Sequence, residues 1–288
     1  MAQNLESVHF EKTEVPPDRG FQVRFVTMKH NSPLHWHREM EILYILNGSA
    51  VVHMKGEKWH LKPLDLLVVD SSIVHDVIYA LPQTMGICIH ISKSYMRRFM
   101  PEVELLQIVC TPDSMNQGKA KGYMNLCQYL KELTVLYFEQ KPSYLFRCSA
   151  TILQIMAQLV EDFSMMANEK METSNVEDLA RVEQIFQYVE KNYREQVSLQ
   201  EASGQLGLNK EYFCRFFKRC TGMTFLQYVN QVRLSHIYQD LLYLEGGIQE
   251  IIEKNGMYNV KLFYRIFKER YGCTPREVQK MGRGNPLI

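Results

Sequence analysis

His35 and His37 stand two residues apart in the stretch HWHREMEILYILNG, with Glu41 four residues further on. Alternate side chains of an extended strand share a face, so three odd-numbered positions would point to the same side of a regular strand. Two imidazoles and a carboxylate brought together in this way can ligate a divalent transition metal or line a polar effector pocket. The same three residues could also be ordinary strand residues. Trp36, Tyr44 and Trp59 lie close by in sequence and would either wall a pocket, as suits stacking on a sugar ring, or fill core.

Different chemistry is written near the other end. FCRFFKRCTG runs from Phe213 to Gly222, and FYRIFKERYG runs from Phe263 to Gly272, 50 positions later. Read backwards, the copies extend to SLQEASGQLGLNKEY and GIQEIIEKNGMYNVKL, with Gly207 aligned to Gly256 at an offset of 49. Each copy reads as a short helix, a glycine-containing turn, and a second helix capped by Asn209 or Asn259. In the second helices Phe213, Phe216 and Phe217, and again Phe263, Ile266 and Phe267, recur at i, i+3, i+4 and form a stripe to be buried. That stripe leaves Lys210, Glu211, Cys214, Arg215 and Lys218 facing outward, and Val260, Lys261, Tyr264, Arg265 and Lys268 likewise. A helix that shows Arg and Lys near its start can enter a major groove and reach base edges and phosphates. The segment between the copies, TFLQYVNQVRLSHIYQDLLY, is periodic throughout. A helix of that length spans roughly 30 Å, close to one turn of B-DNA at about 34 Å. Aromatic stripes alone are usually core; the duplication of turn, cap, stripe and basic face is the stronger signal.

YFCRFFKRCTGMTFLQYVNQVRL and FYRIFKERYGCTPREVQ resemble the repeated signature of the DNA-binding domain of the AraC family of transcription regulators. The resemblance covers about Asp178–Lys280 and implies two helix-turn-helix units joined by one long helix. Carried over by position, it implies base-reading roles for Glu211, Cys214 and Arg215 in the first unit. In the second unit the corresponding residues are Lys261, Tyr264 and Arg265. Lys218 and Lys268 take the place of phosphate contacts. The sequence departs from the family at Asn255 and Ile252, where an apolar and a small residue are usual.

The spacing from His35 through His37 and Glu41 to Gly48 resembles the first motif of cupin barrels, and the family's sensory domains are often cupin-like. His75 falls where the second cupin motif has its histidine, although Leu64, Asp70 and Ser72 replace that motif's glycines and proline. The resemblance implies an effector pocket lined by His35, His37, Glu41, Tyr44 and His75. It also allows a divalent metal on His35, His37, Glu41 and His75 with positions left open. The implied function is a transcription regulator that binds double-stranded DNA at tandem major-groove half-sites and answers to a small-molecule effector, with a sugar the leading expectation. A metal-dependent cupin enzyme carrying a DNA-binding appendage is the alternative, and no acid/base set beyond the candidate ligands supports it.

The elements that must hold these residues are legible in outline. From about Phe21 to Ile91 short apolar runs such as MEILYIL, SAVVHMK, DLLVVD and MGICIHI read as strands. Asn47-Gly48, Lys55-Gly56-Glu57 and Leu81-Pro82-Gln83 read as the turns between them. Helical periodicity then marks Gly122–Phe138 and Ser143–Phe163 as an antiparallel pair, offering core or a dimer seam. The reading is an α+β protein: a cupin-like β-barrel with a helical pair over 1–163, a linker over 164–177, and an all-α domain with two helix-turn-helix units over 178–288.

The 288 residues, 46% hydrophobic and 23% charged, suit two modest globular cores. The net charge of +1 conceals a front that is slightly acidic, with 17 Lys+Arg against 19 Asp+Glu over 1–176, and a basic tail, with 13 against 8 over 197–288. A polyanion would therefore meet the tail. The opening MAQNLESVHFEKTE is polar and mixed in charge, unlike a secretory signal peptide, and no apolar run approaches the roughly 18 residues of a membrane span. Seven cysteines without a CxxC pair read as reduced thiols. A cytoplasmic homodimer is expected.

Overall fold

The computed structural model describes residues 13, 15–27, 32–79, 84–116, 118–166, 176–244 and 246–283. They fall into two compact units, one within Phe10–Asn175 and the other within Val176–Ile288. The fold is mixed α+β, sheet-rich in the first unit and helical in the second.

Among the described residues eight strands build the two main sheets of the first unit: β1 (Phe21–Thr27), β2 (Ser32–His35), β3 (Met40–Asn47), β4 (Ala50–Met54), β5 (Glu57–Leu61), β6 (Leu66–Val69), β7 (His75–Tyr79) and β8 (Met85–Ile91). They form two antiparallel sheets, ordered β1-β8-β3-β6 and β2-β7-β4-β5. Alternation along β3 decides what each face does. Leu43 and Ile45 point between the sheets, where they pack with Val52, Leu67, Val69 and Val77. Met40, Ile42 and Tyr44 point the other way.

After β8 come a short helix α1 (Lys93–Met96), strand β9 (Leu106–Ile108), and the expected helical pair, α2 (Ala120–Glu139) and α3 (Tyr144–Phe163). Leu126, Leu130 and Leu133 of α2 and Ile152, Ile155 and Leu159 of α3 cover the second face of the β3 sheet. The inner faces of the pair are thus core. Strand β10 (Ser164–Met166) pairs antiparallel with β9.

The turn readings divide. Lys55 and Gly56 both take positive φ, 52° and 80°, and close the β4–β5 hairpin with Met54 opposite Glu57, the geometry of a type I′ turn. Asn47-Gly48 joins no hairpin: β3 and β4 lie in different sheets, so this turn is a corner between them. Leu81-Pro82-Gln83 lies outside the described residues. Leu64 and Ser72, which replace glycines of the cupin motif, nonetheless hold positive φ of 71° and 65°. The expected linker is shorter at both ends than 164–177: β10 claims 164–166 by pairing, and a helix begins at Val176. The residues between lie outside the described set.

The second unit contains α4 (Val176–Asn192), α5 (Leu199–Gln205), α6 (Lys210–Thr221), α7 (Phe225–Tyr243), α8 (Ile248–Lys254), α9 (Val260–Tyr271) and α10 (Pro275–Arg283). The central helix α7 threads both copies of the repeat. Its start carries Phe225 against Phe213 and Phe217, at ring-centroid distances of 5.4 and 5.6 Å. Further along, Tyr238 packs on Phe267 and Tyr271. At 1.5 Å per residue α7 is about 28 Å long.

The chain leaving α4 ties these helices together. Arg233 of α7 donates to the Tyr193 and Glu195 carbonyls, both at 2.7 Å. His236 stacks on Tyr193 with ring centroids 4.1 Å apart. In the second copy, Asn255 is fully buried yet bonded throughout: its amide donates to Asp240 and to the Ile251 carbonyl, and its oxygen accepts from Tyr193. Ile252 is buried in the second copy's core. The two departures from the family pattern therefore leave no looseness there.

Both repeat turns pivot on a glycine in the left-handed region, Gly207 at φ 63° and Gly256 at φ 73°. A Cβ on Gly207 would meet nothing, whereas one on Gly256 would strike the Arg194 carbonyl. Gly207→Ala should cost about 1–2 kcal/mol for the left-handed backbone alone, and Gly256→Ala clearly more. Urea denaturation of the two variants measures this; equal losses would contradict the close approach at Gly256.

Candidate functional site

The second helix of each copy, α6 or α9, is fixed at both ends by the same devices. Asn209 Oδ1 accepts the Tyr212 amide at 2.8 Å, and Asn259 Oδ1 accepts the Leu262 amide at 2.9 Å. At the far ends Gly222 and Gly272 take φ of 76° and 68° and donate to the carbonyls of Lys218 and Lys268. Between the caps, Phe213, Phe216, Phe217, Phe263 and Phe267 are buried and Ile266 is half-buried. Lys210, Glu211, Cys214, Arg215 and Lys218 are exposed, as are Val260, Lys261, Tyr264, Arg265 and Lys268. The structure thus exposes the same face of both helices, as the stripe requires.

Other cations in the repeat are occupied internally. Arg219 pairs with Asp178 at 2.7 Å, and Arg270 is buried and donates to Gln231 of α7. Lys268 Nζ donates to the Gly272 carbonyl at 2.7 Å, so its ammonium serves the end of its own helix in this state.

In the first unit His35, His37, Glu41 and His75 converge, but not by the alternation of a single strand. β2 ends at His35 in one sheet and β3 starts at Met40 in the other, with a bend at Arg38–Glu39 between them. The donors meet because the chain crosses from sheet to sheet at this point. His35 lies opposite His75 across β2 and β7. His37 Nε2 and His75 Nε2 lie 2.8 and 3.0 Å from Glu41 Oε2. The ring nitrogens on the other side are pinned to backbone, His37 Nδ1 at 2.9 Å from the Glu39 carbonyl and His75 Nδ1 at 2.9 Å from the Ile73 carbonyl. All four residues are buried.

Two further members come from β8. His90 lies opposite Glu41 in the ladder and brings Nε2 to 3.7 Å from Oε2, while the Cys88 thiol donates to Oε1 at 3.2 Å. Burial would raise the Glu41 carboxyl, but hydrogen bonds with His37, His75 and His90 outweigh it and hold the group well below the usual carboxylate range. Burial, with the Glu41 charge beside it, pushes the Cys88 thiol well up, so it serves as a donor. The clue to these two was in MGICIHI: isoleucines at 87, 89 and 91 put Cys88 and His90 on the opposite face.

Tyr44 does not join the cluster. It is even-numbered on β3, one face away from Glu41, and is buried under the helical pair. Burial raises its hydroxyl to about 12. Trp36 is buried and Trp59 packs half-buried against the core between the sheets. The cluster itself consists of acceptor-rich donors typical of a cation site: His35, His37, Glu41 and His75 each offer a ligand atom, all within 4.8 Å of one another.

Residues 24–188, more than half of the chain, match the AraC-like ligand binding domain, and residues 202–281 match a helix-turn-helix domain. The chain belongs to the AraC family of transcription regulators. Among its relatives is the uncharacterized HTH-type transcriptional regulator YdeC of Bacillus subtilis (strain 168), 22% identical over 257 residues and covering 86% of each chain. The bifunctional transcriptional activator/DNA repair enzyme AdaA of the same organism is 24% identical over 214 residues, covering 74% of this chain and 90% of its own. Among solved structures, ToxT from Vibrio cholerae O395 aligns with a TM-score of 0.44 and 16% identity, over 92% of this chain and 99% of its own. Among the described residues of this AraC-family chain, no helix is long and apolar enough to cross a membrane.

The caps of the two exposed helices give a test that separates stability from recognition. Asn209→Ala should cost about 1 kcal/mol of stability, whereas Asn209→Asp keeps an acceptor at the cap and should leave stability nearly unchanged. The aspartate should nevertheless weaken DNA binding, because it adds a negative charge beside the exposed basic face of α6. Thermal unfolding and DNA titration read the two effects; a strong loss of stability in the aspartate variant would contradict the cap assignment.

Proposed function

We propose that this AraC-family regulator reads tandem half-sites on double-stranded DNA, with α6 and α9 entering successive major grooves. The observation that carries the reading is the duplication of the whole presenting apparatus: asparagine cap, buried aromatic stripe, glycine terminus, and an exposed arginine at the same place in each copy. Glu211, Cys214 and Arg215 read bases in the first half-site, and Lys261, Tyr264 and Arg265 in the second. Lys218 and Lys268 contact phosphates, the latter after leaving the carbonyl at the end of α9. The span of α7, about 28 Å, suits grooves one turn apart on one face of the duplex.

The protein works as a cytoplasmic homodimer in which the first unit senses an effector. Exposed apolar side chains on the outer faces of the helical pair support self-association: Val135 and Phe138 on α2, Leu145 and Phe146 on α3, the last 83% exposed. An effector that binds one arrangement of the units better would shift the population toward or away from the DNA-bound form. Support for a sugar is weaker than the sequence suggested, because Tyr44 faces away and the histidine rings touch one another, with 4.1 Å between the centroids of His35 and His75. A sugar would have to part them. The enzyme reading is the weaker one: YdeC is named as a transcription regulator alone, and AdaA, 24% identical, is named as a DNA repair enzyme as well as an activator.

Arg215→Ala and Arg265→Ala should each weaken binding to a selected operator by about 1–3 kcal/mol and relax preference at one base position. Lys218→Ala should weaken binding to all sequences alike and reduce the salt dependence by about one phosphate contact. Titrations across a salt series and a mutated operator set measure both. Arginine variants that bind like the parent at every salt concentration would contradict the recognition-helix reading.

A further inference from the structure

We infer that the chain leaving α4 is a brace that sets the rotation between α6 and α9, with Tyr193, Arg233, His236 and Asn255 as its positioning residues. α7 joins the two copies as a rod; a second, non-covalent connection beside it fixes how they turn about that rod. The brace is anchored in the first copy. Phe186 of α4 stacks on Tyr228 at 4.5 Å and meets Phe217 of α6 edge-on at 6.2 Å. Asp178, near the start of α4, pairs with Arg219 of α6 at 2.7 Å. The far end of α4 is therefore held to the helix that carries Arg215.

That far end continues into the second copy. Arg233, near the middle of α7, grips the Tyr193 and Glu195 carbonyls with Nε and Nη2, both at 2.7 Å. Three residues on, His236 lies flat on Tyr193, the ring planes 4° apart, with Nε2 2.7 Å from Glu190 Oε1. The Tyr193 hydroxyl accepts from Arg194 Nε at 3.0 Å and donates to Asn255 Oδ1 at 3.4 Å. Asn255 in turn donates to Asp240 of α7 at 2.9 Å and to the Ile251 carbonyl of α8 at 2.8 Å. The next residue, Gly256, approaches the Arg194 and Tyr193 carbonyls too closely for a Cβ to fit. Tyr193 and Asn255 are both buried.

The bonding at this junction differs in kind from the aromatic cores. Packed rings tolerate a few degrees of sliding, whereas hydrogen bonds weaken steeply as their angles open. A planar guanidinium on two carbonyls admits one orientation of α7 against the end of α4. Burying the Asn255 amide costs free energy unless each of its groups is bonded. Here the bonds reach α7, α8 and the chain after α4, so any rotation of one against the others breaks them. The duplex makes that rotation matter: one base pair added between half-sites turns the second groove by about 34–36°. A fixed pair of readers accepts one spacing and a loose pair accepts several. This positioning role rests on the reading of tandem half-sites proposed above.

The test is titration of the full-length protein with synthetic duplexes carrying two half-sites of a selected operator. One duplex has the selected spacing, two have a base pair added or removed, and one has a half-site scrambled. The parent should bind the selected spacing about 100-fold more tightly than the scrambled duplex, and lose at least about tenfold when the spacing changes. Arg233→Met removes both donors and keeps the stem, and His236→Ala removes the stacked ring. Both should reduce the spacing dependence to about threefold or less and bind the scrambled duplex as the parent does. Val278→Ala, buried in the second copy's core and bonded to none of these groups, should lower the unfolding temperature yet keep the sharp spacing dependence. Brace variants with the parent's spacing dependence would overturn the brace and leave the half-site reading standing. A Val278→Ala protein as tolerant of spacing as the brace variants would overturn it too, by making tolerance a consequence of lost stability alone. A parent that gains nothing from the second half-site would overturn the half-site reading itself, and the brace with it. If Arg233→Met fails to fold, His236→Ala decides, because that ring is partly exposed and its removal leaves the guanidinium in place.

Discussion

A twelve-residue helix can bury one stripe, and burying it dictates everything the opposite face may display. In α6 the stripe is aromatic throughout, in α9 Ile266 joins Phe263 and Phe267, and both stripes pack on α7. Phe213 and Phe217 meet Phe225 at the start of α7, and Phe267 meets Tyr238 further along the same helix. One rigid rod therefore carries both cores, and each core fixes the rotation of the helix above it. The rotation in turn exposes Arg215 in one copy and Arg265 in the other. Exposure of the basic face is in this sense a by-product of packing, found in both copies.

The first unit obeys the corresponding rule for strands, with a period of two. Along β3 the rule separates Glu41, Leu43 and Ile45 from Met40, Ile42 and Tyr44. It delivers a carboxylate to the space between the sheets and keeps the opposite face apolar for α2 and α3. A charged group at so buried a place survives only if it is paired. Glu41 is surrounded by His37, His75, His90 and the Cys88 thiol, which is why its carboxyl stays ionised despite burial. Fold and site share the same alternation.

How much of this the sequence disclosed depends on whether a residue's role is local. Caps, left-handed glycines and the aromatic stripe are properties of a few consecutive residues, and the duplication let one copy vouch for the other. Convergence of His35, His37 and Glu41 is legible from their types and spacing, but a bend between sheets, and not the alternation of one strand, brings them together. Cys88 and His90 are hard to read from sequence because their partnership with Glu41 is a matter of strand register 47 and 49 residues away. Tyr44 is close to the cluster in sequence, but parity along β3 assigns it to the other face. Asn255 is a poor match to its apolar slot in sequence because its partners are distant: Asp240 belongs to α7 and Tyr193 to the turn after α4. The positive φ of Leu64 and Ser72 shows that the turn geometry persists where its usual glycines do not.

The central claim is that α6 and α9 act as a pair, held at a fixed spacing by α7 and inserted from one side of the duplex. Hydroxyl-radical and methylation footprinting of the full-length protein on a selected operator tests it most directly. Two protected major-groove patches are expected on the same face, about 10–10.5 base pairs apart. A single patch, or two patches on opposite faces, would contradict it.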